Sequence, residues 1–225
     1  MSAAPDDSSI SSAFSPSTSR RNFLAIAGVG AAGVALAACS SSTKTAANNS
    51  STTSAGGSTQ TSAGKNVDLD TATLAAGLEV LAVETYTSAG AAATKGSLGT
   101  VPPAVATFVT TALAQHQAAL DKWNGVLKAA GKPVVTAPNA KLKPTVDAAF
   151  AKVTDVTGAA ALALLLEQTA SATYQKAVPT LTDKTAIELA GSLQIIDAQH
   201  VAVLLFVSGQ YPVPEVFAKT DKAAA

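Results

Sequence analysis

The stretch Asp197-Ala198-Gln199-His200-Val201-Ala202-Val203-Leu204 has a counterpart upstream, Leu113-Ala114-Gln115-His116-Gln117-Ala118-Ala119-Leu120, identical at five of eight positions. These two stretches hold both histidines of the chain. A second pair accompanies them. Leu78-Glu79-Val80-Leu81-Ala82-Val83-Glu84-Thr85-Tyr86 aligns with Leu166-Glu167-Gln168-Thr169-Ala170-Ser171-Ala172-Thr173-Tyr174, and a tyrosine follows the glutamate by seven residues both times. Matches of Ala and Leu mean little in so alanine-rich a chain, but Glu, Tyr, Gln and His recurring in one order mean more. The order is Glu, His, then Glu, His again: an internal repeat of two helix pairs.

Breaker residues set the limits of those helices. Asp68 or Asp70 is placed to N-cap a first helix, in which Leu74, Leu78, Leu81 and Ala82 recur at helical spacing up to about Ala92. Pro102-Pro103 opens a second helix, which Gly131 and Lys132-Pro133 close. Pro133, Pro138 and Pro144 interrupt the chain up to about Asp155, leaving room for one short helix from Thr145. A third helix runs from Val156 to Val178 and stops at Pro179; a fourth starts at Thr182 as N-cap, with Asp183 in its first turn, and ends at Gly209. Short loop, long crossover, short loop is one connectivity of a four-helix bundle. The expected class is all-α.

Glu79, His116, Glu167, Asp197 and His200 each sit near the middle of a helix otherwise made of Ala, Leu and Val. Mid-helix groups on four packed helices meet at one level. Carboxylates buried there must be protonated, hydrogen-bonded or metal-bound, because an unpaired buried charge costs several kcal/mol. Two imidazoles beside three carboxylates make a mixed nitrogen and oxygen set, which suits a first-row transition metal better than calcium or magnesium. The alternative is a metal-free hydrogen-bond network that fixes helix register.

This pattern resembles the ferritin-like superfamily, and in detail the actinobacterial exported ferritin-like domain proteins, over roughly residues 68 to 217. The resemblance implies a ferritin-like four-helix bundle with a long crossover between helices two and three. In its di-metal members each half supplies one Glu and one Glu-x-x-His. The first falls on Glu79 and Glu167; the second falls on Asp197 to His200 and on Leu113 to His116. Leu113 stands where a bridging carboxylate is expected, and Asp197 is one methylene shorter than Glu. The resemblance therefore implies iron or another transition metal, with one ion favoured over two, held among Glu79, His116, Glu167, Asp197 and His200. Tyr86 and Tyr174 are placed to donate hydrogen bonds to the facing carboxylates. Glu84, five residues past Glu79, points about 140° round the helix and is not expected to join them. His200 keeps a carboxylate at i−3 and His116 does not, so His200 is expected to be the stronger anchor.

Ahead of the bundle, Ser19-Arg20-Arg21-Asn22-Phe23-Leu24 resembles a twin-arginine export signal and contains both arginines of the chain. The apolar run Phe23 to Ala38 reads as a signal core, with an uncleaved membrane anchor as the other reading. Leu36-Ala37-Ala38-Cys39 looks like a lipobox, in which Cys39 carries the lipid. Residues 1–38 are thus the expected signal peptide, 39–66 a Ser/Thr/Ala/Gly-rich flexible linker and 67–217 the folded domain. Such a linker has a root-mean-square reach of roughly 30 Å. The expected site of residence is the outer face of the cytoplasmic membrane, reached through the lipid anchor.

Fifteen basic and fifteen acidic residues balance to zero, which argues against nucleic acid as a partner. One cysteine excludes an intramolecular disulfide and a thiol-only metal site. There is no nucleophile motif or dinucleotide fingerprint. Two functions remain: an exported metal-handling protein, with oxidase or peroxide chemistry as a subset, and a metal-free envelope scaffold whose protein partner the residues do not name.

Overall fold

The structure is a computed structural model, in which residues 62–224 are described. The twin-arginine segment, Cys39 and most of the expected linker lie outside the described residues. Five α-helices and one 3-10 turn make up the fold, with no strand among the described residues. They are α1 (Ser62–Thr94), α2 (Pro103–Ala129), α3 (Lys143–Phe150), α4 (Val156–Ala177) and α5 (Lys184–Val207), with the 3-10 turn Val178–Thr180 between the last two. Helices α1 and α2 form one antiparallel hairpin, α4 and α5 the other. The hairpins meet through α1 against α4 and α2 against α5.

The local signals act where expected at most ends. Pro103 occupies the first position of α2, where a missing N–H costs nothing. Gly131 and Gly209 take φ of 69° and 72° just past α2 and α5, a backbone region that a side chain would strain. Asp155 caps α4 by accepting from Gly158 N at 2.7 Å.

Two ends differ from the sequence reading. Helix α1 already includes Ser62 to Asn66, which had been expected to belong to the linker. Asp68 does not cap its own helix. Buried on α1, it accepts hydrogen bonds from Thr182 N, Thr182 Oγ1 and Asp183 N at 2.7, 2.8 and 3.1 Å. With Thr182 committed to Asp68, the N-cap of α5 passes to Asp183, whose side chain accepts from Ala186 N. One carboxylate thereby ties the start of the first hairpin to the start of the last helix.

Beside this clamp lies a core cluster with more buried members than either of the other two. Ala72, Ala75 and Ala76 of α1 pack with Trp123 and Leu127 of α2, Tyr174 of α4, and Ala186 and Ala190 of α5. Alanines let the helices approach closely around one large indole. The crossover is pinned as well. Asn139 N donates to Gly77 O at 2.9 Å, and the Asn124 side chain brackets Val135 with bonds of 3.0 and 2.7 Å. Helix α3 then lays Val146 over Leu81 and Leu162. By length and composition α5 is apolar enough to cross a membrane, with a mean hydropathy of 1.5. Here it carries Asp197 and His200 into the bundle centre, both buried.

Candidate metal centre

Glu79, His116, Glu167, Asp197 and His200 are all buried, each 7% exposed or less. One donor atom from each of His116, Glu167, Asp197 and His200 lies within 4.8 Å of the others, a grouping that could hold one ion. Glu79 is not in that group. It sits behind His116, with Oε2 2.7 Å from the ring Nδ1. The other ring nitrogen, Nε2, lies 3.0 Å from Glu167 Oε1. Glu167 is the hub: its second oxygen, Oε2, is 3.1 Å from His200 Nδ1.

Each tyrosine crosses the seam to the other hairpin's glutamate. Tyr86 Oη of α1 donates to Glu167 Oε1 of α4, and Tyr174 Oη of α4 donates to Glu79 Oε1 of α1, both at 2.5 Å. Two further residues complete the arrangement, and the sequence reading gave neither a part in it. Trp123 Nε1 donates to Tyr174 Oη at 2.9 Å. Gln115 Oε1 lies 2.7 Å from His200 Nε2. Signals for both existed: Gln precedes His in both repeats, and Trp123 follows His116 by seven residues, two turns along the same face.

The surroundings set the charges. Burial alone would lower the basicity of His116, but hydrogen bonds to Glu167 and Glu79, and their charges, raise its pKa well above the usual 6.5. Burial likewise pushes Glu167 up, yet hydrogen bonds from His116 and His200, with their charges, bring it down to about 2. Asp197 goes the other way. Burial first, then the Glu167 and Glu79 charges, raise it well above the ordinary aspartate value. Its Oδ2 is buried without a hydrogen-bond partner among the described residues. Burial and the facing carboxylates also raise both tyrosines, so each remains a donor.

Carboxylates face both ring nitrogens of His116, whereas His200 lies between Glu167 and the Gln115 amide oxygen. Glu84 lies on the surface and pairs with Lys143 at 3.3 Å. Leu113 packs in an apolar cluster with Ala82, Tyr86 and Ala112 and offers no donor.

A family model described as "Ferritin-like domain" matches residues 67–210, more than half of the chain. The chain belongs to the ferritin-like domain family. No curated protein and no solved structure matches it. Set against the ferritin-like arrangement of four inward carboxylates and two histidines, this bundle keeps both histidines and three of the carboxylates, and fills the fourth place with Leu113. What remains is a buried group of two imidazoles and two carboxylates that could hold a metal ion.

Proposed function

We propose that this protein is an exported, membrane-tethered ferritin-like protein that binds one iron-type transition-metal ion in the bundle core. One observation carries the metal reading: the unpartnered Asp197 Oδ2, buried within a group of four donors that lie together. A buried carboxylate oxygen left bare is costly, and a cation among these donors would relieve it.

His116, Glu167, Asp197 and His200 would hold the ion. Once an incoming ion displaces one proton of His116 and the other stays on Nδ1, facing Glu79, the Nε2 lone pair would turn to the group. With Gln115 accepting the Nε2 proton of His200, Nδ1 is turned there likewise. Tyr86 and Tyr174 hold the two glutamates in orientation. A bound transition metal would supply a Lewis-acid or redox centre.

Elemental analysis of the full chain after incubation with iron, manganese or zinc tests the reading, with about one ion per chain expected. Metal no higher than background with all three would defeat it. A second reading has its own support. Without an ion the network is complete but for Asp197 Oδ2, so the same residues would serve a metal-free scaffold as a register-setting polar core.

Export and tethering rest on Arg20-Arg21 and the Leu36-Ala37-Ala38-Cys39 motif. Cys39→Ser should shift the protein from the membrane fraction to the soluble one, or leave the precursor uncleaved. A processed, membrane-bound form in that variant would end the lipoprotein reading.

A further inference from the structure

At the end of the bundle where α1 and α5 finish and α2 and α4 begin, the helices part around a cavity of about 390 Å³. Its floor is formed by Tyr86 and Phe108. The Phe108 ring meets His200 edge-on, and Tyr86 stacks on His116, so these two rings link the cavity to the polar centre. Small residues form much of the wall, Ala89 and Ala93 from α1 and Ala159, Ala160 and Ala163 from α4. On α4 the lining runs from Val156 to Leu166, which at the helical rise is about 15 Å along the bundle axis. The cavity is therefore long rather than round.

We propose that this cavity binds the alkyl chain of a single-chain amphiphile, such as a fatty acid or fatty alcohol, with its head group at the mouth. The lining contains no charged side chain among the described residues. Its three threonine hydroxyls are spent on backbone carbonyls: Thr85 on Leu81, Thr94 on Gly90, and Thr110 on Ala106 and Thr107. The Tyr86 hydroxyl is spent on Glu167. The lining therefore has no side-chain donor hydrogen left to offer a polar ligand, only the acceptor side of these hydroxyls. A dry apolar cavity of about 150 Å³ already takes a benzene-sized guest, and this one is more than twice that size and elongated. The lining residues that reach solvent, Ala104, Ala106, Thr110, Val203 and Val207 among them, mark where the chain would enter. Phe206, 70% exposed, stands on the same last turn of α5. The head group meets no cation in the cavity, so an acid and an alcohol of equal length should bind alike.

The test titrates the metal-free full chain with cis-parinaric acid and follows its fluorescence. Saturable binding is expected in the wild type. Ala160→Phe and Ala93→Phe, which fill the cavity from different helices, should each weaken it tenfold or more while circular dichroism stays helical. A measurement on the wild type alone guards against misfolded variants. Fatty acids from octanoate to octadecanoate, used as competitors, should strengthen with chain length and then level off once the cavity is filled. Absence of saturable binding overturns the proposal, as does competition that climbs steadily to the longest chain. So does probe uptake from phosphatidylcholine vesicles that filling the cavity leaves unchanged, since that assigns the probe to the outer surface around Phe206. None of these outcomes depends on the metal.

Discussion

Tyr174 Oη and Glu79 Oε1, on opposite hairpins and 95 residues apart in sequence, lie 2.5 Å from each other. The same hydroxyl accepts from Trp123 Nε1. Tyr174→Phe would therefore strand a buried indole N–H and a buried carboxylate oxygen together. The expected loss is about 2–6 kcal/mol, taking about 1–3 for each orphaned group. Tyr86→Phe should cost less, because Glu167 keeps its contacts with His116 and His200. Urea unfolding of the metal-free protein measures both, and equal losses would contradict the assigned network.

Asp197 separates the two readings of the site. Burial and the Glu167 and Glu79 charges outweigh the attraction of His116 for its carboxylate, and Oδ2 has no hydrogen-bond partner among the described residues, so Asp197→Asn should leave metal-free stability unchanged or raise it. The same change should weaken metal binding at least tenfold, since it removes a charged donor. A substantial loss of metal-free stability would show instead that Asp197 is part of a structural network.

Leu113→Glu restores the missing carboxylate at a position packed against Ala82, Tyr86 and Ala112. Without metal it should cost about 1–3 kcal/mol, as expected for burying a poorly paired polar group. With metal present, capacity should rise from about one ion per chain towards two. Equilibrium dialysis with elemental analysis reads the number.

Metal-free stability should fall as pH rises above 6.5. His116 holds its proton in the fold but loses it near 6.5 when unfolded, so its contribution is complete below that pH and is lost as pH climbs through the raised folded value. Asp197, also raised, acts in the same sense from the ordinary aspartate range upward. Glu167 acts oppositely: its contribution is present above 4.5 and is lost as pH falls towards about 2. Metal affinity should follow the reverse course above neutrality and strengthen, because the donors must shed protons to bind. Thermal midpoints with and without metal between pH 5 and 9 should thus diverge, and parallel curves would count against the metal.

Most helix limits were legible because Pro103, Gly131, Asp155 and Gly209 act through their own backbone or that of near neighbours. The residues that meet at the centre were legible too, because two polar groups in an apolar helix have few other reasons to recur. Legibility fails where the partner comes from far along the chain. Asp68 looked like a cap for its own helix but serves Thr182, 114 residues away. Glu79 looked like a third carboxylate donor, yet helical spacing says nothing of which side of His116 its carboxylate takes. Gln115 and Trp123 stood in the repeat and on the His116 face, but their spacing does not say which residue of the other hairpin each one meets.

The Asp68 clamp and the cavity lie at opposite ends of the same four helices, with the polar centre between them. A bundle fastened at one end and lined with alanine at the other behaves mechanically like a spring clip, in which small movements at the root become larger ones at the tips. Amide exchange should accordingly be slowest around Ala72, Trp123 and Ala186, and should quicken towards Ala93, Val105 and Val207. Guests could then come and go at the loose end while the side chains around Glu167 keep their places.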